Sequence, residues 1–398
     1  MSLLPVYDAL ERVLNSVDQL DNETISIHDA LGRITAGDIN SNLTQPPFAA
    51  SAMDGYAVKF ADIDQTLEVV GESQAGLSYA GTLKTGQAVR IFTGAPMVDG
   101  ADTVVIQENV DRDGNNLIIN DCKAIGSNIR DAGSDFMDGE CLVEAHTKID
   151  ARHIALLAAG NVAEFSVFRQ PKVAILSTGD ELLEVGSEIG PDKIVNSNVP
   201  LFMALVKEHG GIPINLGTAQ DTEEDVKAKI ALVKDVDIFV SIGGVSVGDY
   251  DIIQNVLKEA GLKVDFWKVA MQPGKPIVYG NFNGIPYFGM PGNPSSAYVC
   301  FANFMLPAMY KMQGQDQSGF PSSHARLEHD VRAGGARLNY MRAFYHENER
   351  GEKYVNSTLT QSSANLKTLA RSNCLIVRDV DAPPADAGDL VKIFIIEP

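Results

Sequence analysis

Along residues 5–17 the apolar positions Val6, Leu10, Val13, Leu14 and Val17 recur at helical spacing, separated by Asp8, Glu11, Arg12 and Asn15. The pattern predicts an amphipathic helix. Residues 25–40 pass through Leu31 and Gly32 into an acidic, extended stretch, and Gln45-Pro46-Pro47-Phe48 forms a stiff connector. Beyond it the period shortens. The apolar stretches YAVKF, LEVVGE, AVRIFTG, TVVIQENV, NLIIN and GECLVEA alternate with Gly, Asn and Asp turns. This spacing predicts a small β-barrel or sandwich over about 45–140. Residues 151–159 then read as a short helix. It is expected to pack with the N-terminal helix, which would make the β domain an insertion into the first domain.

Pro171 opens a different rhythm. Apolar strands at 172–177, 212–216 and 237–242 alternate with helices at 199–209, 222–234 and 251–260, the second opened by Asp221 or Thr222 as cap. Such alternation predicts a doubly wound parallel sheet with helices on both faces. A strand at 264–269 and a hairpin of 276–280 with 285–289 extend it, and a long helix from Pro294 ends near Met312. GQDQSGFPSS, 314–323, has linker composition. The remaining residues again alternate strands and turns, as in a small β domain. The fold class read from the pattern is α/β plus β. Its parts are a discontinuous N-terminal domain (1–44 and 140–170), an inserted β domain (45–139), the α/β domain (171–313) and a C-terminal β domain (318–398).

With 398 residues and 45% hydrophobic content, the chain can bury several cores. Its formal charge of -20 argues against a nucleic-acid partner, which needs a basic footprint. An anionic ligand must therefore be met by local Lys and Arg, by backbone N–H groups or by a metal. Cys122, Cys141, Cys300 and Cys374 are scattered without a CxxC pair, so neither disulfides nor zinc are expected, which suits a reducing cytoplasm. The start has acids and no basic n-region, unlike a signal peptide. The most apolar helix, YVCFANFMLPAMY, is broken by Asn303 and Pro307 and reads as core, not as a membrane span.

The loops after the α/β strands hold the candidate chemistry. They are Ser177-Thr178-Gly179-Asp180-Glu181, Gly217 to Asp221, SIGGVSVGDYD over 241–251, Met271 to Lys275, and Gly289-Met290-Pro291-Gly292-Asn293-Pro294. In an open parallel sheet such loops meet at the carboxyl edge, where ligands bind. Glycines let a backbone approach phosphate, and helix N-termini supply N–H donors. Ser177, Thr178, Gly243, Gly244, Ser246, Pro291, Gly292, Asn293 and Pro294 are thus candidate substrate contacts. Acids there would repel phosphate unless a cation lay between, so Glu181, Asp221, Asp249 and Asp251 are candidate Mg2+ ligands. Taken singly, Asp180 or Asp221 reads better as a helix cap. Trp267 reads as core, Ser295-Ser296 lacks the frame of a hydrolase elbow, and His324 and His329 read as solvated surface.

PPFAASAMDGYAV (46–58), RIFTGAPMVDGADTVV (90–105), NIRDAGSD (128–135), STGDEL (177–182), NSN (196–198), SIGGVSVGDYD, QPGKP (272–276) and GMPGNPSSA (289–297) closely resemble the molybdopterin molybdenumtransferase (MoeA) family, itself related to the E domain of gephyrin. The likeness runs nearly end to end. It implies insertion of molybdenum from molybdate into adenylylated molybdopterin, with release of AMP and a requirement for Mg2+. It also implies an elongated homodimer of four-part chains, ending in a C-terminal β-barrel, whose active cleft takes in the partner's inserted β domain. Other molybdenum cofactor biosynthesis proteins would be further partners. The family's functional positions match here as Asp54, Thr93, Asp135, Glu181, Asp221, Asp251, Lys268, Lys275, Pro291, Pro294, Arg342 and Ser362 or Ser363, with Asn196 from the NSN motif as a further substrate contact.

One departure is Gln272, where many members carry Lys. If 264–272 runs as one strand, Lys268, Ala270 and Gln272 share a face. Lys268 and Lys275 would then neutralise molybdate while Gln272 offers a neutral amide, and Gln272→Lys is expected to tighten molybdate binding. Two rival readings are an adenylyltransferase-like enzyme on the same α/β domain and a scaffold of the gephyrin E type. The inserted and C-terminal β domains disfavour the first; the retained acids and lysines disfavour the second.

Overall fold

The computed structural model describes residues 3–244, 252–315, 319–357 and 360–396. The chain divides into two compact units, Thr24–Val167 and Met1–Glu23 with Phe168–Pro398.

The unit Thr24–Val167 is built on one six-stranded sheet in the order Thr103–Ile106, Gly55–Val58, Gln87–Ile91, Leu67–Ser73, Asn116–Ile119, Val110–Asp113. All pairs are antiparallel except Leu67–Ser73 with Gln87–Ile91. Successive side chains on a strand point to opposite faces. Tyr56, Val58 and Val105 accordingly enter one core, and Ala57, Val89 and Val104 enter another. Leu83, Ala95 and Val98, from between the strands, cover the second face. The expected barrel or sandwich is therefore a single curled sheet, apolar on both faces. Outside it, Ile39–Asn40 pairs with Cys141–Val143, at the entry to the sheet and the exit from it.

The helix Ala151–Ala159 forms as expected. Asp150 caps it by accepting from the N–H groups of Arg152 (2.8 Å) and His153 (3.0 Å), and His153 Nδ1 accepts from the Asp150 N–H (3.2 Å). Its Leu157 packs with Ile27, Ile39, Val143 and Phe165. The N-terminal helix, expected to pack with it, falls in the other unit. That helix, α1 (Val6–Asn15), buries Val6, Ala9 and Val13 in the core of the other unit, against the apolar helical run 294–312.

The second unit opens on β1 (Lys172–Thr178), α2 (Asn198–Glu208), β2 (Ile212–Ala219), α3 (Glu223–Ile230), β3 (Ile238–Ile242), α4 (Ile252–Glu259) and β4 (Leu262–Trp267). The short β5 (Met271–Gln272), β6 (Val278–Phe282) and β7 (Ile285–Met290) follow. The main sheet has the order β2-β1-β3-β7-β6-β4, with its first four strands parallel. Val173 and Ile175 of β1 face one core while Ala174 and Leu176 face the other. A strand covered on both faces must read as an unbroken apolar run, as this one does. The chain leaves β1 for β2 on one side and returns to β3 on the other, so the flanking loops part at that point. The final helix does not break at Asn303 or Pro307. It runs through α5 (Pro294–Cys300), a π turn (Phe301–Met305) and α6 (Leu306–Met312). The π turn shifts the bonding register ahead of Pro307, whose missing N–H is harmless near the start of α6.

The remaining strands are β8 (Ser322–Leu327), β9 (Leu338–Glu347), β10 (Lys353–Asn356), β11 (Cys374–Arg378) and β12 (Leu390–Ile395), with α7 (Leu366–Ala370) before β11. They pair in the ring β9-β10-β8-β12-β11, and β11 returns to β9, closing a five-stranded barrel. Ala325, Leu327, Ala343, Val355, Ile376 and Ile393 fill it. The two residues of β5 add in parallel to the start of β9.

Asp237 ties the starts of β1 and β3 together. Arg169 donates to both of its carboxylate oxygens (2.7 and 2.8 Å), and the Lys172 N–H donates to one of them (2.8 Å). Truncating it strands a half-buried guanidinium and a backbone donor. Asp237→Ala is expected to destabilise this unit by about 3 kcal/mol. The check is the urea midpoint of its unfolding transition, which should fall at unchanged slope. An unshifted midpoint would show the pair to be dispensable.

Candidate active site

The loops at the carboxyl edge of the sheet enclose a cleft of about 1030 Å³. β1 delivers Ser177 and Thr178, β3 delivers Ile242, Gly243 and Gly244, and the loop after β7 delivers Pro291, Gly292, Asn293 and Pro294. Glu181 and Asp221 line the same space. Gly243 has φ +96°, and a Cβ there would lie 2.7 Å from the Thr178 carbonyl oxygen, so the approach of β3 to β1 at the mouth excludes any side chain. Ser246, Asp249 and Asp251 lie outside the described residues.

The acids gather on one side. The Asp221 N–H donates to Asp180 Oδ1 (2.9 Å). Partial burial, followed by the negative charges of Asp180 and Glu181, holds the Asp221 carboxyl above its ordinary value. Among the described residues, no three His, Cys, Asp or Glu side chains converge as a metal cage. Glu181 and Asp221 are nevertheless hard oxygen donors facing an open cleft, and Mg2+ typically uses one or two carboxylates, with water and substrate phosphate completing its shell. The donor set fits such an ion.

Asn196 lines the cleft with its amide already committed. Its Oδ1 accepts from the N–H groups of Asn198 and Val199 (3.2 Å each), and its Nδ2 donates to Thr218 Oγ1 (3.2 Å). It therefore sets the start of α2 beside the end of β2. Asn198, not singled out in the sequence, donates from Nδ2 to the Gly292 carbonyl (2.7 Å) and holds the loop after β7.

A second pocket of about 280 Å³ adjoins the cleft, and the two share Pro276 and Ser296 in their walls. Gln272 to Lys275 form one side, and Arg337, Asn339, Tyr340 and Arg342 of the barrel form the other with Gln361 and Ser363. None of these lining residues is acidic, in a chain of net charge -20. Arg342 is wholly buried, and its Nε and Nη2 have no hydrogen-bond partner. Its backbone is clamped by Gln361, whose Oε1 accepts from the Arg342 N–H (3.0 Å) and whose Nε2 donates to the Arg342 carbonyl (2.9 Å). Burial lowers the guanidinium pKa from its ordinary value. Of the two candidate serines it is Ser363 that lines this pocket, and its Oγ accepts from Asn293 Nδ2 (3.1 Å).

Lys268 is placed differently from the expectation. β4 ends at Trp267, Lys268 has φ +69°, and Met271 and Gln272 belong to another sheet, so Lys268, Ala270 and Gln272 do not share one strand face. Lys268 lines neither cavity; its Nζ lies 3.8 Å from the centre of the Trp267 ring. Trp267, read as core, is 41% exposed. The strand breaks because residues 268–270 must cross from the α/β sheet to the barrel. Lys275 does line the small pocket.

Asp54, Thr93 and Asp135 belong to the unit Thr24–Val167. Thr93 donates to Asp54 Oδ1 from both its N–H and its hydroxyl (2.8 Å each). These bonds, backbone first, hold the Asp54 carboxyl below its ordinary value, with a smaller pull from Arg90. Asp135 is exposed, and its N–H donates to the Gln45 carbonyl (3.1 Å).

Three family descriptions match the chain in order: the MoeA N-terminal region (domain I and II) over residues 4–160, a probable molybdopterin binding domain over 174–311, and the MoeA C-terminal region (domain IV) over 324–396. Proteins named molybdopterin molybdenumtransferase from Nostoc sp. and Haemophilus influenzae are each 37% identical to it. The first match covers 94% of this chain and 89% of the relative, the second 93% of each. Two crystal structures of a molybdopterin biosynthesis MoeA protein from Pyrococcus horikoshii superpose with TM-scores of 0.84 and 0.83 at 30% and 29% identity, covering 99% or more of both chains. An end-to-end match at this identity, over the same order of domains, leaves one assignment: the chain belongs to the molybdopterin molybdenumtransferase (MoeA) family.

Proposed function

We propose that this enzyme of molybdenum cofactor biosynthesis inserts molybdenum from molybdate into adenylylated molybdopterin and releases AMP. The observation that carries this reading is the pairing of two cavities. A large cleft rimmed by acids and backbone donors adjoins a small pocket with cationic walls. The large cleft suits the nucleotide and pterin, and the small one suits a tetrahedral dianion.

Backbone N–H groups of the loops after β3 and β7 would receive phosphate oxygens, since glycine at 243, 244 and 292 permits close approach. Mg2+ held by Glu181 and Asp221 would supply charge neutralisation at the phosphoanhydride. Lys275 and Arg342 would hold the oxyanion, and the unpartnered guanidinium nitrogens of Arg342 support that role. Asp180, exposed beside Asp221, would take up or return protons as molybdate oxygens leave as water. Following the family resemblance, we further propose a homodimer in which Asp54 and Thr93 serve the partner's cleft. Among the described residues no helix is long and apolar enough to cross a membrane.

Protons and Mg2+ compete for Asp221. Its raised pKa means that the proton wins progressively as pH falls through that value, whereas above it the carboxylate is free for the cation. Half-saturating Mg2+, measured calorimetrically with the pterin nucleotide bound, is therefore expected to rise as pH is lowered. Asp221→Asn should abolish this dependence and slow AMP release about a hundredfold, or near 3 kcal/mol. An unaltered pH profile in that variant would remove Asp221 from the metal site. Mixed dimers test the shared cleft. Asp54→Ala and Asp221→Asn chains, each strongly impaired alone, should regain part of the wild-type rate after subunit exchange, because one of the two clefts is then intact. No recovery after proven exchange points to a site within one chain.

A further inference from the structure

Gln272, read from the sequence as a missing positive charge, has a partner in the structure. Its Oε1 accepts a hydrogen bond from Arg337 Nη2 (3.0 Å). The backbone enforces the meeting. Met271 and Gln272 pair in parallel with Leu338 and Asn339, and the Leu338 N–H donates to the Ala270 carbonyl (2.9 Å). Arg337 is the residue just before this pairing, and both side chains stand in the wall of the small pocket. Among the described residues no carboxylate pairs with Arg337, Lys275 or Arg342. A guanidinium offers five N–H donors in a fixed fork, so one bond to Gln272 leaves others for a ligand. Lysine at 272 would have no acceptor to offer, and its ammonium would stand against the Arg337 guanidinium.

We propose that Arg337 is an oxyanion-binding residue of this pocket and that Gln272 is its positioning residue. The amide does not leave the pocket one charge short. It exchanges a flexible ammonium for a guanidinium brought in from the barrel, so that Lys275, Arg337 and Arg342 surround the anion. This inference rests on reading the small pocket as the molybdate site. It also reverses the expectation that Gln272→Lys tightens binding.

Equilibrium dialysis of the full-length protein against radiolabelled molybdate, without nucleotide and at fixed ionic strength, tests it. Arg337→Gln is expected to weaken binding by about tenfold, the loss of one charge-assisted contact. Gln272→Lys should weaken it as well, and Gln272→Lys combined with Arg337→Gln should return to within about threefold of wild type, because the cation count and the neutral partner are both restored. Gln272→Glu separates recognition from mere clamping. It keeps the acceptor for Arg337, so the melting temperature should hold, but its negative charge should weaken molybdate binding. If Arg337→Gln and Gln272→Glu bind like wild type while Lys275→Gln and Arg342→Gln do not, Arg337 is only a structural link. If none of the four changes affects binding, the pocket itself is not the oxyanion site.

Discussion

The half of this protein that holds the two cavities depends on a parallel pairing two residues long. Met271 and Gln272 leave the α/β sheet and join the barrel at Leu338 and Asn339. That contact would be slight alone, but it is continuous with a shared interior. Leu338, Tyr340, Leu375 and Val377 of the barrel lie in the same buried cluster as Val240, Met290 and Phe301 of the α/β domain. Asn293 and Ser295 at the head of α5 bond to Ser363 on the barrel side. Two domains with a common core hold their facing loops at fixed separation, which a two-cavity site requires.

The charge distribution follows from the same arrangement. Asp180, Glu181 and Asp221 come from the turns after β1 and β2, at one side of the cleft. Lys275, Arg337 and Arg342 come from the loop after β5 and the first half of β9 with the residue before it. Keeping the signs apart stops the acids from neutralising the basic groups before a ligand arrives. The cost shows as the raised pKa of Asp221 and the unpartnered nitrogens of buried Arg342. Both are states that a bound cation or anion would relieve, and perturbed groups of this kind gather at functional sites.

Much of the architecture was legible because local signals agreed. Apolar runs ending in Gly, Pro or Asp marked strands that terminate at a ligand-binding edge, and the parallel sheet and its cleft follow from that. The failures share a cause. Lys268 and Gln272 were placed on one strand face because residues 264–272 carry no Gly or Pro until Pro273. The chain breaks there to change sheets, a demand made by a barrel more than 60 residues further on. Asn303 and Pro307 read as helix breaks, yet buried packing along 294–312 keeps the helix going through a π turn. The apolar stripe of α1 was evident, but not which core it would join, since any apolar face can cover it.

Amino-acid order alone determined most of the local conformations, the family and the loops that carry acids and glycines, because those signals act between near neighbours. Tertiary structure decided which side chains meet. Arg337 has no mark in the sequence as a partner of Gln272, and Arg342 none as a buried, unpaired guanidinium. Asn196 looks like a ligand residue until its amide is found occupied by Thr218 and the start of α2. Charge, hydrogen bonding and exclusion of water act over a few ångströms, and only folding sets which residues stand that close.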